Sequence, residues 1–137
     1  KGDKVPYCQL PGKKRAQNVF ILLVENDPFV RIDLGEALEC FAPNGIIESY
    51  DHLHSVPETQ TRYDLIVIDT PNADVVQNTH AMSWLKAAEL VVFTRGRGAE
   101  LADTYPNAQV LQRPFTEQIF LDTLRAGLSK PRSIPNS

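Results

Sequence analysis

The sequence predicts a doubly wound α/β fold, a five-stranded parallel sheet in the order 2-1-3-4-5 with helices on both faces. Three observations carry this expectation. Short apolar, largely β-branched runs of four or five residues recur along the 137 residues, as strands buried on both faces require. Stretches with helical spacing alternate with these runs. The joining segments are short, which implies right-handed crossovers between parallel neighbours.

The first run, Phe20-Ile21-Leu22-Leu23-Val24, closes on Glu25-Asn26-Asp27. Asp27-Pro28 predicts a helix start, because Asp accepts from the unpaired first-turn amides and Pro at the first position loses no bond. Val30, Leu34, Ala37, Leu38 and Phe41 then recur on one helical face. Pro43-Asn44-Gly45 ends that helix and turns the chain into a short second strand, Ile46-Ile47-Glu48-Ser49-Tyr50. Residues 51–62 are polar around Pro57 and predict a short or broken helix.

The third run, Leu65-Ile66-Val67-Ile68, lies between Asp64 and Asp69 and reads as the central strand. Pro71 cannot continue a ladder, so Asp69 falls at the carboxyl end of the strand, where open α/β sheets place their ligands. Val76, Ala81, Trp84, Leu85 and Ala88 predict a helix over 74–88, and Leu90-Val91-Val92-Phe93-Thr94 a fourth strand. Arg95-Gly96-Arg97-Gly98 makes a loop, residues 99–105 a turn or two of helix, and residues 108–112 the fifth strand. After Arg113-Pro114-Phe115, Thr116 caps a last helix whose expected apolar face is Ile119, Phe120, Leu124 and Leu128. With strands one and three adjacent, Glu25, Asn26, Asp27 and Asp69 meet at the switch point of the sheet.

Composition bounds the function. A hydrophobic content of 42% and a charged content of 23% suit one globular domain. A net charge of -3 offers no general attraction to nucleic acid or an anionic membrane. No apolar run approaches the roughly 20 residues that cross a bilayer, and no charged-then-apolar leader is seen, so a cytoplasmic location is expected. Residues 1–17 read as a linker or arm bearing the basic run Lys13-Lys14-Arg15, residues 18–130 as the domain, and residues 131–137 as a tail. A chain that begins on Lys1 is expected to be a piece of something longer. Cys8 in the arm and Cys40 in the first helix are expected to be free thiols.

The segment Leu23-Val24-Glu25-Asn26-Asp27-Pro28-Phe29-Val30-Arg31, with Asp69, Thr94 and Arg113-Pro114-Phe115 following in order, resembles the receiver domain of bacterial two-component response regulators. The likeness spans about residues 18–130 and implies the flavodoxin-like, CheY-like receiver fold. It implies Asp69 as phosphoacceptor, Thr94 and Arg113 as the groups that sense the phosphoryl oxygens, and Pro114 as the candidate cis proline. It further implies a magnesium ion held by Glu25, Asn26, Asp27, Asp69 and the backbone of Pro71. Magnesium is a hard ion that demands oxygen ligands, and it lets a carboxylate meet an incoming phosphoryl group. The phosphoryl donor would be a histidine kinase or a phosphotransfer protein. Receivers also dimerise or dock through their fourth helix, last strands and last helix, a region that here includes Arg95, Arg97 and Val110.

The departures from the family pattern fall in the site. Asn26 stands where the family usually places the Asp that ligates magnesium, and a neutral amide is the weaker ligand. Arg113 replaces a Lys, keeping the charge but carrying a broader planar group. It could pair with Asp69 structurally as readily as await a phosphate. Pro71 follows Asp69 by two residues rather than four, so the adjoining loop is shortened, and Val110 stands where many receivers carry an aromatic reporter.

Two functions follow: a phosphoacceptor switch in a phosphorelay, or a pseudoreceiver that keeps the fold as a phosphorylation-independent interaction or dimerisation module. Neither is an enzyme. Asp64-Leu65-Ile66-Val67-Ile68-Asp69-Thr70-Pro71 also resembles the Walker B strand of ParA-type ATPases, but no glycine-rich, lysine-bearing loop follows the first strand. His52, His54 and His80 form no metal pattern, and Trp84 reads as core or interface.

Overall fold

The structure is a computed structural model that describes residues 19–58, 62–70, 75, 77–94 and 104–129. Five strands, β1 (Phe20–Val24), β2 (Ile46–Tyr50), β3 (Leu65–Ile68), β4 (Leu90–Phe93) and β5 (Ala108–Val110), form one sheet in the order β2-β1-β3-β4-β5. Every pairing is parallel, with Val24 registered on Ile68 and Ile68 on Phe93. The three central strands thus end level, and the residues after them share one edge.

Side chains of a strand alternate between faces, and here the two faces make two cores. Ile21, Leu23, Leu65, Val67, Leu90 and Val92 join helix α1 (Pro28–Phe41) and helix α3 (Glu117–Ser129). Leu22, Val24, Ile66, Ile68, Val91 and Phe93 join helix α2 (Thr79–Ala87) through Ala81, Trp84 and Leu85. The central runs are buried on both sides, which is why they read as continuous apolar sequence.

Local chemistry sets the helix ends. Asp27 caps α1, its side chain accepting from the amides of Phe29 and Val30, with Pro28 at the first position. Asn78 caps α2 by accepting from Ala81. Thr116 Oγ1 accepts from Ile119 N at 3.1 Å at the start of α3.

Over 51–62 the described residues form one 3-10 turn, Leu53–Ser55, the short helix expected there. Three expectations are corrected. Helix α2 begins at Thr79, where Asn78 supplies the cap; Val76 lies outside the described residues. On α3, Ile119 is 48% exposed and Leu121 takes its place beside Phe120, Leu124 and Leu128. Each step along a helix turns about 100°, so 120, 121, 124 and 128 share a face that 119 falls behind. Finally, Cys40 is disulfide-bonded rather than a free thiol. The helical setting of Cys40 and the polar setting of Cys8 argued for free thiols, but bridging depends on approach in space, which neither setting reveals.

Among the described residues, no helix is long and apolar enough to cross a membrane.

Candidate functional site

The site lies at the carboxyl end of the sheet. Glu25 N donates to Tyr50 O at 3.0 Å, extending the β1–β2 ladder by one residue. Glu25 thereby keeps the two-residue period of Ile21 and Leu23 and turns inward, leaving its side chain 1% exposed. A buried carboxylate needs partners for both oxygens. Oε2 accepts from the amide of Asp27 at 3.0 Å, and Oε1 accepts from Arg113 Nη2.

Asp69 follows β3, its amide donating to Val24 O at 2.9 Å, which brings its side chain beside the Glu25 turn. Thr94 follows β4 in the same manner, its amide donating to Ile68 O at 3.1 Å, and it is fully buried. Arg113 reaches both from the segment after β5. Its Nε donates to Thr94 O at 2.8 Å, its Nη2 donates to Asp69 Oδ2 at 3.1 Å, and Nη2 lies 3.4 Å from Thr94 Oγ1. The Arg113-Pro114 bond is cis.

The tertiary structure therefore brings Glu25, Asp69, Thr94 and Arg113 together. Asn26 and Asp27 are engaged otherwise. Asn26 is exposed, with Nδ2 3.4 Å from His52 Nε2. Asp27 Oδ1 accepts from Phe29 N at 2.9 Å, so the expected cap is formed. Pro71, Arg95 and Arg97 lie outside the described residues, and Val110 is half-buried on β5.

Two neighbours of the site had no role in the sequence reading. Arg31 Nη1 donates to Glu25 O at 2.7 Å, pinning the turn from the first turn of α1. Its position four residues beyond the cap at Asp27 was the available signal, because such residues stack over the helix start. His52 reaches Asn26 from beyond β2, and only the adjacency of β2 and β1 brings the two together.

A magnesium ion does not fit these residues as they are arranged. Both Glu25 oxygens are engaged, Asp27 is committed to the helix, Asn26 is a neutral amide directed to His52, and Asp69 Oδ2 accepts from a cation. Among the described residues, no group of three His, Cys, Asp or Glu side chains is placed to hold a metal. The guanidinium supplies positive charge between the two carboxylates, which is the electrostatic task a divalent ion would perform.

No family model matches the chain, and no curated protein matches it. Solved structures do. An adenylate cyclase from Rhodopirellula baltica superposes with a TM-score of 0.61 at 14% identity, over 82% of this chain and 88% of that one. A CheY-like response regulator from Mesorhizobium loti gives a TM-score of 0.57 at 14% identity, over 81% of this chain and 99% of that one. The receiver domain of a sensor histidine kinase from Pseudomonas aeruginosa, described with magnesium in its active-site cleft, gives 0.50 at 17% identity, over 83% of this chain and all of that one. These likenesses show the receiver fold.

Proposed function

We propose that this chain is a pseudoreceiver, a receiver-fold module that works through protein–protein contacts in signal transduction without needing a phosphoryl group on Asp69. The observation that carries this reading is the Arg113 guanidinium, which joins the buried Glu25 and Asp69 through one nitrogen. The internal cation occupies both carboxylates that phosphoryl chemistry would need. A role in binding rather than catalysis is consistent with it, since the assembled groups neutralise one another.

One observation favours the phosphoacceptor reading instead. Asp69 sits at the end of β3 with Thr94 and Arg113 beside it, the groups that would bond phosphoryl oxygens. In that case the Asp69 carboxylate attacks the phosphorus of a phosphohistidine on a histidine kinase or phosphotransfer protein. The phosphorus–nitrogen bond breaks as the new oxygen–phosphorus bond forms, and the departing imidazole takes up a proton.

Backbone amide NMR with magnesium, then with beryllofluoride as a phosphoryl mimic, separates the two. The pseudoreceiver reading expects resonances of Glu25, Asp69, Thr94 and Arg113 to stay in place under both additions. Shifts that appear in the native chain and vanish in Asp69→Ala would overturn it and establish a phosphorylation-responsive switch.

A further inference from the structure

Between α1 and the segment from Arg113 into α3 lies a groove of about 590 Å³. Its floor is apolar, formed by residues such as Leu34, Ala37 and Phe120, and its rim is acidic, with Asp33 and Glu36 on one bank and Glu117 on the other. All three acidic residues are exposed, and among the described residues none of them makes an ion pair. Arg113 also lines the groove, but its guanidinium is already held by Glu25, Asp69 and Thr94. The groove is therefore negative around an apolar bottom.

Helix geometry extends this surface along α1. Residues three and four apart share a face, so Phe29, Asp33 and Glu36 form one stripe along the bank. Phe29 is 80% exposed, which leaves a whole phenyl ring in water at the head of the acidic stripe. The part of α1 that lines the groove, from Val30 to Ala37, rises about 10 Å, or two helical turns. A hollow of this size takes a few side chains rather than a domain. One face of a short helix fits it, with apolar side chains at three- and four-residue spacing for the floor and cationic ones for the rim. A second copy docked through the same face would lay acidic rim on acidic rim, so like-charge repulsion opposes self-pairing.

We propose that this groove docks a basic amphipathic helix of a partner protein. Its apolar side chains rest on Leu34, Ala37 and Phe120, and its Lys or Arg side chains pair with Asp33, Glu36 and Glu117. The proposal rests on the reading of this chain as a module that works through protein contacts, and it names the chemistry of one such contact. Each exposed ion pair contributes little by itself. The apolar floor supplies the affinity, while the three carboxylates steer the approach and turn an acidic helix away.

The test uses the full chain and, as probe, a fluorescein-labelled peptide of about five helical turns made only of Leu and Lys, with Leu on one face. A control peptide carries Glu in place of Lys. Fluorescence anisotropy, without magnesium or beryllofluoride, is expected to show the Leu/Lys peptide bound and the Leu/Glu peptide free. Asp33→Lys, Glu36→Lys, Glu117→Lys together should weaken the Leu/Lys complex about tenfold and admit the Leu/Glu peptide, a gain that loss of folding would not produce. The same change of net charge at exposed positions away from the groove, Glu39→Lys, Glu58→Lys, Asp122→Lys, should leave binding within about twofold. Equal weakening by the two triple variants overturns the assignment, since net charge alone would then attract the peptide. No binding of the Leu/Lys peptide, with or without beryllofluoride, also overturns it. Self-association of the native chain that the groove substitutions abolish would do the same, naming a second copy as the occupant. Binding that needs beryllofluoride but is still lost in the groove variant would uphold the groove and overturn the phosphoryl-independent reading, so the two fail separately.

Discussion

Arg113 donates through Nη2 to Oε1 of Glu25, a carboxylate whose side chain is 1% exposed. Removing one partner of such a pair leaves a buried charge without compensation, which costs far more than the pair contributes when intact. Arg113 is itself 36% exposed, so water enters part of the gap in Arg113→Ala. That variant is expected to lose about 2–3 kcal/mol in urea unfolding. Adding Glu25→Gln should recover part of the loss, because the amide needs no counter-charge.

Asp69→Asn should be far milder. The amide oxygen still accepts from Arg113, and Glu25 keeps its partner, so a change within about 1 kcal/mol is expected. A loss as large as that of Arg113→Ala would mean that Asp69, not Glu25, is the group the guanidinium chiefly compensates.

Replacing the resident cation should convert the site. In Asn26→Asp, Arg113→Lys, a further carboxylate is added and the planar guanidinium is removed, giving a hard ion more oxygen donors. Magnesium at millimolar concentration is expected to shift the amides of residues 25–27 and 69 in this variant and not in the native chain. An unresponsive double variant would show that the positions of the side chains, and not their identities, exclude the metal.

Tyr63 is buried edge-on against Trp84, with its hydroxyl donating to Glu48 Oε1 at 3.0 Å. Burial first, then the hydrogen bond and charge of Glu48, raise its pKa above the ordinary 10.0. A tyrosine with a raised folded-state pKa contributes stability that is intact below the unfolded value and falls as pH rises beyond it. Unfolding midpoints should therefore decline above pH 10, and Tyr63→Phe should flatten part of that decline. Tyr50 and Tyr105, also raised by burial, supply the remainder.

Two helical glycines are expected to respond oppositely to alanine. At Gly35 in α1 an added Cβ meets nothing within 4 Å, so Gly35→Ala should gain about 0.5–1 kcal/mol through helix propensity. At Gly127 in α3 the same atom would come within 2.6 Å of Leu90 Cδ2, and Leu90 is buried on β4. Overpacking there should outweigh propensity, for a net loss of about 1 kcal/mol by thermal or urea unfolding.

Much of the architecture was legible because its causes are local. Phe20–Val24, Ile46–Tyr50 and Leu65–Ile68 are strands where apolar patterning placed them, and Asp27 and Thr116 cap helices where residue chemistry allowed it. Gathering Glu25 with Asp69 needed one further step, the strand order, which short parallel crossovers imply. Ile119 was misassigned because a helical stripe has a definite width, and only the packed neighbours decide which edge residue is covered.

By itself, then, the sequence determined the strands, the caps and the edge on which the carboxylates gather, since patterning, turn chemistry and strand order are written in residues close along the chain. The tertiary structure decided what those carboxylates do. Arg113 meets Asp69 across 44 residues and Glu25 across 88, and Cys40 is bridged although its place in a helix argued for a free thiol. A guanidinium has the same charge wherever it lies; which carboxylate it neutralises depends on a distance of a few ångströms that only the folded chain sets.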